Sequence, residues 1–405
     1  MRAQLKIAVL AGLLALSAAA ATASAGNTPT ARPSLIGPSR SHGKEAIRIG
    51  ASISATGVYA SVAQYGLRGY RLYVDDLNRR GGLLGRPVQL VVYDDQSNPA
   101  TAVRLYNKLV SEDRVDLIVG PYSSAITQAV AAVAEKFQRV MIDPFAAASV
   151  IFTNTHWNIQ AIAPSERYLA SIADICKLRG YGTMALFVNN TPSTAAIAEG
   201  LKARAQAFGI RIVYEQRYPK DASDFSSMVL SAKPAQADAI VGTTYVPDAV
   251  SLTRELNRQG VKPKLLALSI GVVEPQFQKA LGSLANRVIG NTQWWPTLDR
   301  PRNPEFVAAY RRRYHESPVY QVALGYGAMQ LLEQAVEQAK SLDQATLRDT
   351  IFALRTNTVA GHFELDDEGR QVGYKSYLMQ WQSGKPKLVW PPTVAEAPLQ
   401  LPYRQ

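Results

Sequence analysis

Residues 75–99, DDLNRRGGLLGRPVQLVVYDDQSNP, contain a helix end, a strand and the start of another helix in direct succession, and this order indicates the fold class. Two adjacent glycines end the helical spacing that precedes them, and the run VQLVVYDD then predicts a strand with a nearly continuous apolar core. Asn98 and Pro99 predict a turn and the first residues of the next helix. A strand of this kind between two helices is typical of a parallel sheet covered on both faces.

The same alternation extends in both directions along the chain. Residues 47–54 predict a strand, residues 64–80 and 99–112 predict helices, and the strands VDLIVGP and VMIDP follow. The pattern then begins again with a helix over residues 164–179 and the strands TMALFVN, IRIVYEQRYP, ADAIVGTTY and KLLALS. The C-terminal tail predicts antiparallel hairpins, one of them around residues 366–369. We therefore expect an α/β protein with two doubly wound lobes, each built on its own sheet.

Composition excludes several classes of protein. The chain has 405 residues, of which 47% are hydrophobic and 19% charged, as is typical of a globular chain with enough apolar material for two lobes. The single cysteine, Cys176, excludes an intramolecular disulfide and multi-cysteine metal sites. Motifs of serine hydrolases, zinc proteases, P-loop proteins and dinucleotide-binding enzymes do not occur. We expect no enzyme, no metal and no cofactor, and we interpret Arg311–Arg313 as a solvated helix face, not a nucleic-acid site.

The N-terminal segment has the pattern of an export signal. Arg2 and Lys6 precede an apolar run from Ile7 to Leu16, and two small-residue sites that end at Ala23 and Ala25 suit cleavage. We expect residues 1–25 to be a cleaved signal peptide, residues 26–45 to be a flexible lead-in, and the product to be periplasmic. No cysteine stands at the end of the signal, so no lipid anchor is expected.

Three features together resemble a known family: the segment 75–99, the run VDLIVGPYSS and a later strand that ends in Pro-x-Ala. They are similar to the type I periplasmic solute-binding proteins of ABC importers, the group typified by leucine/isoleucine/valine-binding proteins. The resemblance extends from about Ile47 to Trp390. It implies two Rossmann-like lobes that are joined by three hinge crossings and close around a ligand. The implied lobes contain residues 46–160 with 294–362, and residues 161–293 with 363–403.

The resemblance also implies a function. It indicates the substrate-binding component of an ABC importer, which encloses an amino acid or related small carboxylate between its lobes. The implied partners are that small-molecule ligand and a membrane permease, and the binding protein is expected to be a monomer. An alternative stays open, in which the protein senses an aromatic or amide ligand and presents it to a receptor.

Open α/β sheets bind ligands at the carboxyl ends of their strands, beside helix N-termini. The resemblance implies that Ser124, at the start of the third helix, holds a ligand carboxylate together with the backbone of Ala146. Ala147 stands where amino-acid binders of the family have a threonine hydroxyl. Without the resemblance, Ser124 would be interpreted as a helix cap.

The loop after KLLALS predicts a difference from the amino-acid binders. Those proteins place an acid there to pair with the ligand ammonium, and this chain has Ser269. Burying an ammonium without a carboxylate is unfavourable, so either another acid replaces it or the ligand has no ammonium. Asp248 is one candidate acid, and Glu274 becomes another if the alignment shifts.

Aromatic residues complete the predicted site. Aromatic walls suit ligands with an apolar or ring-bearing body, so we expect a carboxylate of that kind to bind better than leucine. An alternative for Trp294 is that its side chain packs in the core between the lobes. The loop residues expected to face the cleft are Tyr59, Tyr122, Asn190, Tyr245, Trp294 and Tyr320.

Overall fold

The computed structural model describes residues 45–404. The predicted signal peptide, residues 1–25, and all but the last residue of the predicted lead-in lie outside the described residues. Within residues 45–404, no helix is both long enough and apolar enough to cross a membrane.

The first lobe is built on a five-stranded parallel sheet with the strand order β2-β1-β3-β4-β5. Helices follow the first three strands of the chain, so the sheet is doubly wound as the apolar strand pattern predicts. Its elements are β1 (Ile47–Ile53), α1 (Ala60–Arg79), β2 (Val88–Asp94), α2 (Pro99–Ser111), β3 (Leu117–Val119), α3 (Ser124–Phe137), β4 (Met141–Asp143) and β5 (Asn158–Gln160).

The second lobe repeats this order in a seven-stranded sheet, β7-β6-β8-β9-β10-β13-β14. Its first five strands are parallel, and the last two add an antiparallel hairpin at one edge. Its elements are α4 (Ala170–Arg179), β6 (Thr183–Asn189), α5 (Pro192–Ala207), β7 (Arg211–Tyr218), α6 (Ser226–Ala232), β8 (Ala239–Thr243), α7 (Val246–Arg258), β9 (Leu265–Leu268), α8 (Pro275–Leu281), β10 (Ile289–Thr292), β13 (Tyr377–Gln382) and β14 (Lys385–Trp390).

Between β10 and β13 the chain returns to the first lobe, where α10 packs along α1. The chain therefore passes between the two sheets after β5, after β10 and before β13. The elements of this returning segment are α9 (Asn303–Tyr314), α10 (Tyr320–Ala339), α11 (Gln344–Ala353), β11 (Thr356–Thr358) and β12 (Gly361–Phe363). The residue boundaries of the lobes stay a prediction.

Glutamine side chains tie these three crossings to one another. Gln293, just after β10, accepts a hydrogen bond from the Ala163 N–H at 2.9 Å and donates to the Tyr168 hydroxyl at 2.5 Å, both in the first crossing. Gln160, at the end of β5, accepts from the Gln371 N–H at 3.2 Å in the third crossing. Because these amides are buried, the bonds satisfy polar groups that water cannot reach.

The structure corrects the predicted helix over residues 164–179. Residues Ser165–Arg167 form a single 3₁₀ turn, and the α-helix begins only at Ala170. In this part of the first crossing the Tyr168 N–H donates to the Ser165 carbonyl, three residues earlier, at 3.0 Å, which is the bond of a 3₁₀ turn, and the Ser165 N–H donates to the Ala147 carbonyl at 2.8 Å.

Two short strand regions also differ from the prediction. The strand β5 was not predicted because its three residues, Asn158–Gln160, are polar at both ends and show no apolar run. Residues 366–369 do form a turn, with Asp366 accepting from the Glu368 and Arg370 N–H groups, but one isolated bridge replaces the predicted hairpin strands. The paired strands β11 and β12 precede it instead.

The helices α1 and α10 approach so closely that their contact requires glycine. A Cβ atom on Gly69 would lie 2.3 Å from the Val322 carbonyl oxygen, and one on Gly325 would lie 2.5 Å from the Gly66 carbonyl oxygen. Backbone atoms cannot move aside as a flexible side chain can, so a methyl group at either position would separate the helices.

We expect Gly69→Ala to lower the free energy of unfolding by about 1–3 kcal/mol, because overpacking outweighs the gain in helix propensity. Urea denaturation followed by circular dichroism measures the change. Gly182→Ala is the matched control, since a Cβ atom there would meet nothing within 4 Å. Equal free energies of unfolding for Gly69→Ala and the wild type would show that the two helices can separate without loss of stability.

Candidate ligand-binding site

A small buried cavity lies between the two lobes, where the carboxyl ends of the two sheets face each other. Its volume is about 10 Å³, which is room for about one water molecule. Its walls come from both lobes and from the first crossing. The lining residues are Tyr122, Ser123, Ser124, Phe145, Ala147, Ile162, Tyr168, Ser193, Tyr245, Ile270, Tyr320, Gln321 and Leu324.

The cavity is bordered by the N-terminal ends of four helices. These are α3 and α10 from the first lobe and α5 and α7 from the second. The first N–H groups of a helix have no partner within it, and the helix dipole places partial positive charge at this end. None of the residues that line the cavity is Asp, Glu, Lys, Arg or His. The electrostatic field inside is therefore set by peptide groups and hydroxyls and favours an anion.

Ser124 has a geometry that suits donation to an anion. Its Oγ accepts hydrogen bonds from the Ala147 N–H at 2.9 Å and from the Ala148 N–H at 3.2 Å. These two bonds occupy the acceptor capacity of the oxygen, so the hydroxyl hydrogen is what Ser124 can still offer. Ser124 thereby also holds the loop after β4 in place.

Ser123 is the N-cap residue of α3, but its side chain does not cap the helix. Its hydroxyl is buried and has no hydrogen-bond partner of normal geometry among the described residues. An unpartnered buried hydroxyl is unfavourable by about 1–3 kcal/mol. Ser123, which the sequence placed only at a helix start, is therefore a second group available to a ligand.

Ala146 was expected to offer its backbone to a ligand, but its N–H is already paired. Asp143, buried at the end of β4, accepts from the Ala146 N–H at 2.8 Å, the Phe145 N–H at 2.9 Å and the Thr127 hydroxyl at 2.5 Å. Burial raises the pKa of Asp143 to about 6, against the effect of these hydrogen bonds. The loop is thus braced by its own strand, and Ala147, not Ala146, reaches the cavity wall.

An aromatic cluster forms one side of the site. The Tyr59 ring centroid lies 5.8 Å from that of Tyr122 and 5.4 Å from that of Tyr245, and Tyr122 lies 5.9 Å from Phe145. Burial raises the pKa of the Tyr122 and Tyr245 phenols well above the ordinary value, so both are neutral. The cluster joins the lobes and offers apolar ring faces together with neutral hydroxyls.

Ser269, expected in the site, does not line the cavity. Its hydroxyl accepts from the Thr244 N–H at 2.7 Å and donates to the Thr244 carbonyl at 3.0 Å, so it links two loops of the second lobe. The next residue, Ile270, forms the wall instead. Gly271, with φ +95°, then turns the chain away, and a Cβ atom there would lie 2.6 Å from the Val246 nitrogen.

Trp294 and Asn190 also lie away from the cavity. Trp294 is buried, donates its indole N–H to Asn303 at 2.8 Å and packs edge-on against Phe306. This contact agrees with the alternative interpretation of Trp294 as core. Asn190 is exposed, and its backbone N–H pairs with the Tyr218 carbonyl.

The candidate acid Asp248 is occupied by the protein itself. Its carboxylate accepts from Asn189 at 2.9 Å, the Tyr218 hydroxyl at 2.8 Å and the Tyr245 N–H at 2.8 Å. Burial raises the pKa of Asp248 to about 6. Asp248 therefore positions Tyr245 at the start of α7 and is not part of the cavity wall.

Glu274, the other candidate acid, lies just behind the cavity wall. It precedes α8 in the second lobe, is fully buried, and accepts a hydrogen bond from the Gln321 amide of the first lobe. Its second oxygen has no hydrogen-bond partner among residues 45–404. Burial raises the pKa of Glu274 to about 8, so the carboxyl is largely protonated at neutral pH.

Sequence reasoning missed part of the lining. Ser193 and Gln321 stand at helix starts, a position like that of Ser124, and could have been found for that reason. Tyr168 and Ile162 lie in the first crossing, and no local pattern marks them. Tyr122, Tyr245 and Tyr320, which were expected at the cleft, do line the cavity. Tyr59, expected there too, does not line it and packs against the Tyr122 and Tyr245 rings instead.

Comparisons with known proteins agree with this architecture. The family model for periplasmic binding proteins matches residues 46–386. The Leu/Ile/Val-binding protein homolog 7 of Brucella abortus is 26% identical in an alignment that covers 88% of this chain and 94% of the relative.

Two solved structures are similar in fold. The branched-chain amino acid transporter substrate binding protein LivJ from Streptococcus pneumoniae, in complex with isoleucine, has a TM-score of 0.78 and 22% identity, and the match covers 88% of this chain and 100% of that one. An ABC transporter solute binding protein from R. palustris in complex with benzoate has a TM-score of 0.74 and 21% identity, with 84% and 95% covered. These similarities confirm the predicted fold class.

The buried carboxyl of Glu274 predicts a pH dependence of stability. Its pKa is raised from the ordinary 4.5 to about 8, so between these values the folded state binds more protons than the unfolded chain and stability falls as pH rises. We expect Glu274→Gln to be more stable than the wild type by about 1–3 kcal/mol near pH 8.5, and to show no such gain near pH 5.

Urea denaturation at several pH values between about 6.5 and 8.5 measures this effect, because Asp143 and Asp248, with pKa values near 6, contribute mainly below that window. Glu305→Gln, on the exposed surface of α9, is the matched control. Parallel stability curves for the wild type and Glu274→Gln would contradict a buried, protonated Glu274.

Proposed function

The chain belongs to the periplasmic binding protein family, and we propose that it captures a small carboxylate with an aromatic or similarly bulky apolar body. It is a periplasmic binding protein of the ABC-transporter type and a substrate-binding protein, not an enzyme. The proposal includes a membrane permease as the partner that receives the ligand, and a monomeric binding protein.

The observation that carries the proposal is the cavity bordered by four helix N-termini and lined by no charged side chain. A carboxylate needs more room than the single water molecule that the closed cavity can hold, so it would enter as the lobes separate. There it would meet first-turn N–H groups of the helices and the Ser123 and Ser124 hydroxyls. Such groups stabilise an anion without a fixed cation. A ligand cation would face the same partial positive charge and would be repelled.

The lining also favours an apolar body. Phe145, Ile162 and Leu324 have hydrocarbon side chains, and Tyr122 and Tyr245 of the aromatic cluster add ring faces. Aromatic pairs contribute roughly 0.5–1.5 kcal/mol beyond the burial of their area, so a ring would gain more from this wall than an alkyl chain of similar size.

An α-amino acid fits this lining less well because of its ammonium group. Ile270 forms the wall beside the loop after β9, Asp248 is fully engaged, and the Glu274 carboxyl is largely protonated. The two solved relatives contain isoleucine in one case and benzoate in the other, so the shared fold accommodates both classes. The residues of this chain that line the cavity favour the second.

We expect benzoate to bind more tightly than leucine or valine by at least about 30-fold, since a buried ammonium without its counter-charge costs on the order of 2–5 kcal/mol. Isothermal titration calorimetry of the mature protein with the three ligands measures the ratio. Submicromolar binding of leucine would return the protein to the branched-chain amino acid class.

The two serines should respond differently to substitution. Ser123→Ala should weaken benzoate binding by about 1–3 kcal/mol without lowering the stability of the unliganded protein, because its buried hydroxyl makes no hydrogen bond of normal geometry among the described residues. Ser124→Ala should weaken both binding and stability, because two buried N–H groups lose their acceptor.

Calorimetry and thermal unfolding of both variants test this difference. Ser111→Ala, on the exposed end of α2, serves as the control for a lost hydroxyl. Unchanged benzoate binding in both serine variants would mean that α3 is not the anion site.

If the lobes close around the ligand, the radius of gyration of the protein should change on binding. The lobes meet across the cavity through Tyr59 and Tyr245, through Tyr65 and Gln276 at 3.0 Å, and through Gln321 and Glu274. These contacts separate if the lobes open, so we expect small-angle X-ray scattering to give a smaller radius of gyration with saturating ligand than without. An unchanged radius would contradict closure around the ligand.

A further inference from the structure

We infer that a groove beside the ligand cavity is a second binding site, and that it takes a short peptide with free ends and apolar side chains. The groove is separate from the cavity, since Tyr320 is the one described residue that lines both. The inference therefore goes beyond the proposed function and does not depend on which small molecule occupies the cavity.

The groove lies between the two lobes and is large. Its volume is about 510 Å³, which is within the range of sites that hold drug-sized molecules and far above that of the cavity. The end of α9 and the start of α10 form one wall, α8 and the β13–β14 hairpin form the other, and the second crossing lies between them. A molecule in the groove would therefore contact both lobes.

The walls of the groove are aromatic and proline side chains. Trp295 of the second crossing and Trp381 of β13 line it, although both are largely buried. The Trp381 indole N–H donates to the Val272 carbonyl at 2.7 Å, which fixes the ring in place. Three prolines complete these walls, namely Pro296, Pro318 and Pro386. Grooves with aromatic walls bind extended, proline-containing peptides, whose backbone is already close to the bound conformation.

Two of the residues that line the groove are charged, and their charges are opposite. The positive one is Arg311, in the last turn of α9. It donates a hydrogen bond to the Ser317 hydroxyl at 3.1 Å and has no carboxylate partner among the described residues. A guanidinium has five N–H donors, so most of them remain available to a carboxylate.

The negative residue is Glu396, on the chain that follows β14. Its backbone N–H donates to the Leu388 carbonyl at 2.8 Å, and its Oε1 accepts from the Thr297 hydroxyl at 2.7 Å. These bonds position the carboxylate and leave its second oxygen for a cation. No lysine or arginine of the described chain pairs with it.

This charge arrangement indicates the class of ligand. A molecule with a carboxylate at Arg311 and an ammonium at Glu396 satisfies both charges, whereas a simple aromatic carboxylate satisfies only the first. The volume between the two charges and its aromatic walls require apolar groups as well. A peptide of two or three apolar residues has all three features, because its two ends carry the charges and its side chains contact the tryptophans and prolines.

The test titrates the mature wild-type protein calorimetrically, at low ionic strength, with the tripeptide Phe-Pro-Phe, its N-acetyl form and its C-terminal amide. We expect Phe-Pro-Phe to bind with a Kd below about 1 mM. Each blocked form should bind about three- to fivefold more weakly, which is the effect of one partly exposed ion pair. Gly-Pro-Gly keeps both charges but lacks the side chains, and should bind at least about tenfold more weakly than Phe-Pro-Phe.

Two variants locate the ends of the peptide. Arg311→Gln should weaken binding of Phe-Pro-Phe but not of its amide, since the amide has already lost the carboxylate that this residue contacts. Glu396→Gln, which keeps an acceptor for Thr297, should weaken binding of Phe-Pro-Phe but not of its N-acetyl form. Arg312→Gln and Glu305→Gln are the matched controls, because both residues are exposed on α9 and lie outside the groove.

Several results would overturn the inference. Phe-Pro-Phe that does not bind at millimolar concentration, or that binds equally to the wild type and to both groove variants, excludes this groove as its site. Binding that Ser124→Ala abolishes and Arg311→Gln leaves unchanged would place the peptide in the cavity. Equal binding of the free and the doubly blocked peptide would mean that the groove takes an internal segment of a partner chain. Benzoate binding, measured separately, tests the proposed function in each case.

Discussion

A helix that directly follows a parallel strand begins at the carboxyl edge of the sheet, and the proposed anion site depends on this geometry. Each lobe has such an edge, and the two edges face each other, so the first turns of α3, α5, α7 and α10 meet around one cavity. Their N–H groups have no partner within the helices, and their dipoles add in one sense. The proposed anion site therefore needs no arginine or lysine in the wall.

The polar groups near the cavity divide into those that stabilise the loops and those that remain available. Asp143, Asp248 and Ser269 are engaged by neighbouring backbone or side chains, and their bonds hold the loops after β4 and β8 in position. Ser123 and Gln321 keep a buried polar atom without a partner among the described residues. Burying an unpaired polar group is unfavourable, and at the cavity a ligand can satisfy such a group.

Contacts between residues of the two lobes would link ligand binding to the relative position of the lobes. The aromatic cluster and the Gln321–Glu274 pair each combine a residue of the first lobe with one of the second. The glutamines of the crossings hold the connecting segments against one another. If the lobes move as the proposed closure requires, these bonds would hold the crossings together while the contacts between the lobes form or break.

The sequence alone determined the α/β class, the repeated doubly wound order and the position of Ser124 at a helix start. These depend on local periodicity and on short motifs, which neighbouring residues carry by themselves. Tertiary structure decided which side chains reach the cavity. Ile270 lines it where Ser269 was expected, because a turn at Gly271 and the bond from Ser269 to Thr244 rotate that loop. Glu274 and Gln321 are 47 positions apart and meet only when two lobes come together, and no local pattern contains that contact.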